Sequence, residues 1–273
     1  PRFLRDPEPL VVQAAMEGLD GIRDPLITPD LEEPFARYVC AAVTPSVERF
    51  GRTARPGEAE TVSLIRPRLL QSLADEGQDP GIRAFGDSVA AVMLKDPSAV
   101  DAGLYIPAVR IAGLSGNAEL RDQFRTRFES ATSPAMRRVW LDGLGGFRDP
   151  KLVQENLDYA LSGPLKPQEI GSVARSVNSY PPNRDLTWNW MRKNYDTIMK
   201  RVPPMFAAFL PYYAGGCSQP RLSEAETFFA EPEHAPPGVA KELAKVAEGV
   251  TDCVGLRARE GARVKAFLSG SGT

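Results

Sequence analysis

The sequence holds one histidine, three cysteines and no long apolar run among its 273 residues, and each shortage removes a class of function. A zinc-peptidase helix of the His-Glu-x-x-His kind needs two imidazoles one turn apart, which the single His234 cannot supply. A Ser-His-Asp or Cys-His arrangement would have to recruit the same residue from EPEHAPP, with no Gly-x-Ser-x-Gly turn to present a nucleophile. Between those prolines His234 reads as a solvated loop side chain. Cys40, Cys217 and Cys253 are odd in number, far apart and without a Cys-x-x-Cys, which signals neither a disulfide framework nor a thiolate metal site. A reducing cytoplasm is then the default compartment. No stretch approaches the roughly 18 uninterrupted apolar residues of a spanning helix, and PRFLRDPEP lacks a signal peptide's apolar region, so no membrane partner is expected. Charge of one sign is lacking too. With 33 Lys and Arg against 35 Asp and Glu, a net charge of −2 leaves no electrostatic footprint for nucleic acid.

What is present is helical periodicity. Val62, Ile65, Leu69 and Leu73 make one stripe on a 3.6-residue helix, as do Val153, Leu157 and Leu161, and Ile170, Val173, Ala174 and Val177. Strand-like alternation is not sustained anywhere, so the chain reads as all-α. Asp-Pro pairs at Asp6-Pro7, Asp79-Pro80, Asp96-Pro97 and Asp149-Pro150, and Ser133-Pro134, mark helix starts, where a side-chain oxygen caps free amides and proline's fixed φ suits the first turn. Gly51, Gly77 and Gly163 stand where left-handed caps are expected. On the order of fourteen helices on short connections predict an α-solenoid of antiparallel pairs, HEAT- or armadillo-like and curved. Pro45, Pro67, Pro107 and Pro211 fall within apolar-periodic stretches and should kink or end helices there. The turn-rich stretches at 51–57, 163–167, 178–183 and 231–238 read as loops within one domain over 1–268, followed by a disordered tail at 269–273. The start on Pro1 rather than Met predicts a piece of a longer protein.

Few residues offer chemistry of their own. Gly143-Leu144-Gly145-Gly146 lacks the strand and the Lys-Ser/Thr of a phosphate loop and reads as tight helix packing or a turn. Paired acids such as Glu32-Glu33 and Asp75-Glu76 read as solvated helix faces. Trp188, Met191, Tyr195 and Ile198 share one helical face and predict a buried seam. The stretch VPPMFAAFLPYY, 202–213, is either a core helix or the border of a cavity.

The order of several segments resembles a family. RDLTWNWMRKNYDTIMKR, an apolar stretch, GCSQPRLSEAETFF and a closing LRAREGARVKAFL resemble the end of zinc aminopeptidases of the aminopeptidase N and puromycin-sensitive type, including the C-terminal domain of endoplasmic reticulum aminopeptidases. Upstream, SVERFGRTARPGEAETVSLIRPRLL and DPKLVQENLDYALSGPLKPQEIGSV agree with it, so residues from about 7 to 268 are covered.

That resemblance implies a noncatalytic helical bowl whose partner is the catalytic domain of its own chain. It would enclose the active-site cavity and control the access of peptide substrates, as lids generally do. The parent enzyme would remove N-terminal amino acids with a zinc ion held in domains that precede this one, leaving no cofactor here. By position, the resemblance places Met205, Phe206 and Phe209 as cavity-lining candidates. Arg52 and Arg148 are candidates for peptide carboxylates through paired hydrogen bonds. The rival reading is a stand-alone HEAT-like scaffold that binds a protein or helical peptide in a concave groove.

Overall fold

The computed structural model describes residues 2–270, so the expected tail lies, from residue 271 onward, outside the described residues. Among those residues the chain forms fourteen α-helices and no strand. They divide into two compact units, one of residues up to Arg23, Ile27–Arg148 and from Arg263 on, the other of Asp24–Leu26 and Asp149–Ala262.

The first unit takes most of α1 (Pro9–Leu26), then α2 (Glu32–Phe50), α3 (Glu60–Asp75), α4 (Pro80–Lys95), α5 (Tyr105–Leu114), α6 (Ala118–Ser130) and α7 (Pro134–Leu144). Helices near in sequence pack together: α2 on α3, α4 on α5, α6 on α7, with α5 also against α3 and α7. The predicted stripe Ile65, Leu69 and Leu73 is buried against Phe35, Val39, Val43 and Phe50 of α2 in one core cluster. Close approach sets the glycines of α7. A Cβ on Gly143 would stand 2.9 Å from the Phe124 ring, so the glycine run packs helices.

Two of the Asp-Pro starts fold as the sequence indicates, whereas α1 opens at Pro9 rather than at Asp6-Pro7, Asp96 caps only a 3₁₀ turn, and Ser133 precedes α7 without a side-chain cap. Asp79 accepts from Ile82 N at 2.7 Å to open α4, and Asp149 accepts from Lys151 N and Leu152 N at 3.0 Å. Of the glycine stops, Gly51 takes φ +79°, open to glycine, but with an extended ψ of 160°, and Gly163 ends the helix Pro150–Ser162 in extended backbone at φ −80° rather than in a left-handed cap. At the end of α3 the left-handed residue is instead Gln78, while Gly77 is held by contact: a Cβ there would meet Leu73 O at 2.8 Å.

Of the four prolines expected to kink or end helices, three do not end one. Pro45 and Pro67 sit inside α2 and α3 without ending them, and Pro107 falls in the first turn of α5, where no intrahelical donor is lost. In α2 the reason is visible. Pro45 cannot donate to Ala41 O, and Arg5 Nη2 donates to that oxygen at 3.0 Å in its place. Arg66 acts likewise at the carboxyl end of α2. It is buried, donates to Phe50 O at 3.1 Å and Gly51 O at 3.2 Å, and pairs with Glu58 at 2.5 Å. That hydrogen bond holds the Glu58 carboxyl below its ordinary range.

The second unit contains α8 (Pro150–Ser162), α9 (Pro167–Asn178), α10 (Arg184–Lys193), α11 (Tyr195–Arg201), α12 (Pro204–Ala207), α13 (Gln219–Ala230) and most of α14 (Val239–Leu268). Trp188, Met191, Tyr195 and Ile198 are all buried, which is the predicted seam. Trp188 Nε1 donates to Glu224 at 2.9 Å, and its ring packs edge-on against Phe228. Two expectations fail here. His234 is no solvated loop residue: it ends a 3₁₀ turn, stacks on Phe228 with centroids 3.9 Å apart and meets the edge of Tyr195. Cys217 and Cys253 form a disulfide with Cα atoms 5.2 Å apart. Sequence spacing missed it because the two residues, 36 apart, meet only through the packing of α14 beside the start of α13.

The acids Asp75 and Glu76 are not on a solvated face either. Both are partly buried, and burial, with Asp20 and Asp75 nearby, pushes the Glu76 carboxyl up to about 7 against a hydrogen bond from Ser72. The unfolded chain loses this proton near 4.5 and the fold near 7, so the contribution of Glu76 to stability is fully present below pH 4.5 and is lost as pH rises through that window. Screening leaves about 2 kcal/mol at stake. Thermal unfolding should therefore show a Tm contribution lost between pH 4.5 and 7 that Glu76→Gln abolishes; an unchanged pH profile in that variant would refute the assignment.

Candidate functional site

A cavity of about 770 Å³ lies within the second unit. One face of α9 supplies Pro167, Ile170, Gly171, Ala174 and Asn178, spaced as successive turns. Gly171 and Ala174 are small, so the middle of this face leaves space rather than filling it. Trp190 of α10 and Ile198 of α11 form a second wall. The third comes from the stretch 202–213, which is not a core helix. Pro203 and Pro204 confine α12 to four residues, and Pro211 lies in a 3₁₀ turn, Leu210–Ala214. The chain thus holds its aromatic groups at the cavity rather than in a packed helix face. Phe206, Phe209 and Tyr212 line it while remaining 44%, 50% and 45% exposed, and the rings of Phe209 and Tyr212 stack with centroids 6.1 Å apart.

Polar groups mark the edge. Arg175 and Arg184 line the cavity, which has no carboxylate among its lining residues. Arg184 pairs with Asp24 at 2.5 Å and donates from Nε to Asn178 O at 3.3 Å, whereas Arg175 is exposed and donates to Ser172 Oγ at 3.4 Å. Tyr212 Oη donates to Glu242 Oε2 at 2.9 Å, which raises the tyrosine's pKa. Glu242 is itself held low, first by Lys245 and then by Tyr212. Burial pushes Tyr213 up to about 12, so it stays a neutral wall. On the wall, Trp190 Nε1 and Asn178 Oδ1, one donor and one acceptor, are shielded from water without a protein partner.

The sequence-predicted residues are distributed as follows. Phe206 and Phe209 lie together on the cavity, and neighbouring Met205 is 70% exposed outside its lining. Arg52 is exposed beside a small hollow of about 250 Å³ in the first unit, with Glu48 and Asp79. Arg148, also in the first unit, is bound to Asp75 at 2.5 Å. Arg175, Arg184 and Asn178 were not singled out from sequence. The one available signal was the face shared by Gly171, Ala174, Arg175 and Asn178 on α9, whose small residues read equally as packing.

These features define an all-α chain with a ligand-sized, apolar cavity edged by guanidinium groups. The chain belongs to the family described as the ERAP1-like C-terminal domain, which it matches over residues 2–252. Among its relatives, Aminopeptidase M1-D of Oryza sativa subsp. japonica is 24% identical over 251 residues, 89% of this chain and 28% of the relative. Aminopeptidase M1-A of the same plant is 26% identical over 199 residues, 69% of this chain and 20% of the relative. "Aminopeptidase 2, mitochondrial" of Saccharomyces cerevisiae is 31% identical over 94 residues, 33% of this chain and 10% of the relative. The chain thus spans less than a third of the length of these relatives. No helix among the described residues is long and apolar enough to cross a membrane.

The zinc that the family resemblance implies does not fit the donors of this chain. Glu231, Glu233 and His234 bring one ligand atom each within 4.8 Å, but His234 Nδ1 faces Phe228 O at 3.2 Å and the two carboxylates are exposed. A peptidase zinc site of two imidazoles on one helix has no counterpart in a sequence with one histidine.

The wall formed by residues 210–215 hangs on Arg221. It is buried, donates from Nε to Ala214 O at 3.3 Å and from Nη2 to Gly215 O at 2.7 Å, and pairs with Asp185 at 2.5 Å. Arg221→Ala should cost about 2–3 kcal/mol in urea unfolding, because two carbonyls lose a charged donor. A loss below about 0.5 kcal/mol would show that the wall stands without it.

Proposed function

We propose that this chain is the noncatalytic C-terminal domain of a zinc-dependent aminopeptidase, a soluble, cytoplasmic one, and that its cavity receives part of the peptide substrate. The observation that carries this reading is the match of a family of aminopeptidase C-terminal domains across residues 2–252. In it, residues 1–268 act as one helical cover that limits access to an active site built by preceding parts of the same protein, which remove N-terminal residues from peptides. The catalytic domain and the peptide are its partners, and zinc is held elsewhere.

The cavity supports the peptide part of the proposal by its chemistry. Phe206 and Phe209 offer aromatic area to an apolar side chain. Arg175 brings positive charge to a lining without an acid, which suits a carboxylate, and Arg184, whose charge is shared with Asp24 behind it, adds hydrogen-bond donors. These arginines, rather than Arg52 and Arg148, become the first candidates for the carboxylate, while Met205 is left to contact longer peptides from outside the lining.

Binding to this chain of a fluorescein-labelled nonapeptide ending in phenylalanine, followed by anisotropy, tests the proposal. Phe209→Ala should weaken it about fivefold, equivalent to about 1 kcal/mol, and Ala174→Trp, which fills the hollow, should weaken it further. Equal affinity in both variants would remove the cavity from the account. Chelator-resistant cleavage of aminoacyl anilides that copurifies with the chain would remove its noncatalytic half.

A further inference from the structure

The disulfide of the second unit has a position that the peptide reading leaves unused. Cys217 follows, by three residues, the 3₁₀ turn Leu210–Ala214 that carries Tyr212 and Tyr213 to the cavity, and its partner Cys253 is on α14. Between turn and cysteine, Ala214 O and Gly215 O are held by Arg221, and Gly216, with φ +100°, lies so close to Arg184 that a Cβ would collide with its guanidinium.

Arg184 is a cavity residue, and its partner closes a second route to the same disulfide. Asp24 Oδ1 pairs with Arg184 at 2.5 Å, while Asp24 Oδ2 lies 3.9 Å from Cys253 Sγ. The disulfide therefore reaches the cavity through four residues of backbone and through one carboxylate. Both cysteines are partly exposed, so a small thiol can approach them.

We infer that the Cys217–Cys253 disulfide is a redox-reversible clamp that keeps the cavity wall in its binding form. This regulation rests on the peptide reading of the same cavity. In the step, the thiolate of a low-molecular-weight thiol such as glutathione attacks one sulfur, breaks the S–S bond and forms a mixed disulfide, releasing one cysteine thiolate. A second glutathione thiolate attacks the mixed disulfide and releases the other cysteine. Two electrons and the two protons of the glutathiones pass to Cys217 and Cys253, and glutathione disulfide leaves. Once reduced, the segment 215–218 loses its covalent tether to α14 and keeps the 3.5 Å hydrogen bond from Arg257 Nη1 to Cys217 O, and the Cys253 thiol donates toward Asp24 Oδ2, which weakens the pull of the same carboxylate on Arg184. Both effects loosen the wall that presents Tyr212 and Arg184.

Alkylation mass spectrometry, amide exchange and peptide binding on the whole chain test the clamp. After incubation with glutathione disulfide, iodoacetamide should label Cys40 alone on unfolding, and after dithiothreitol all three cysteines. Reduction should speed amide exchange at least fivefold across residues 210–218 and leave α2 and α3 unchanged. It should also weaken the labelled nonapeptide at least threefold, and Cys217→Ser should match the reduced protein under both conditions. Three labelled thiols after oxidation, or unchanged exchange in 210–218 on reduction of the native protein, would overturn the clamp. Exchange that responds while the peptide binds in neither state would keep the clamp and overturn the peptide reading.

Discussion

Guanidinium groups that take up the carbonyls left over at helix ends are the interaction on which this structure depends. The fourteen helices among the described residues leave many terminal carbonyls without intrahelical donors. Arginines supply them repeatedly. Arg66 holds Phe50 O and Gly51 O after α2, and Arg83 donates to Ala74 O at 2.8 Å near the end of α3. In the second unit Arg201 holds Leu161 O and Leu165 O after α8, and Arg257 holds Asp24 O and Pro25 O at 2.9 and 2.8 Å. Arg5 even replaces the donor that Pro45 lacks. A planar fork with five donors can serve two oxygens at once, which the ammonium of lysine does with less directional precision.

The cavity follows from the same economy of ends and breaks. Prolines at 203, 204 and 211 prevent the aromatic stretch from forming a long helix, and small residues on α9 decline to fill the space opposite. The wall that results is irregular backbone, and irregular backbone needs donors of its own. Arg221 provides them at Ala214 and Gly215, and Arg184 does so at Asn178 while lining the cavity. Stability and ligand chemistry are therefore joined in one set of side chains, so a change to the wall is felt in both.

Much of the fold was legible in the sequence because it rests on local rules. The stripes Ile65, Leu69, Leu73 and Trp188, Met191, Tyr195, Ile198 are buried, and Asp79 and Asp149 cap the helices their Asp-Pro pairs announced. What was not legible depends on partners far along the chain. Arg66 and Arg221 carry no local mark of their role, which shows only once the carbonyls they serve are placed beside them. Cys217 and Cys253 carry no spacing signal, and Glu76 looked exposed until its surroundings, with Ser72 and Asp20 beside it, came into view. At the candidate site the aromatic half, Phe206 and Phe209, followed from a family resemblance, whereas Arg175, Arg184 and Trp190 needed the tertiary arrangement of α9 and α10.

On the proposed function, peptide enters the cavity between α9 and the 202–213 stretch. Photo-crosslinking reads it most directly: a nonapeptide carrying benzoylphenylalanine at its last position is irradiated with the chain, and the labelled residues are located by mass spectrometry. The account predicts adducts on residues 167–213, with Phe206, Phe209 or Tyr212 among them. Labelling confined to the first unit, or spread without preference along the chain, would contradict it.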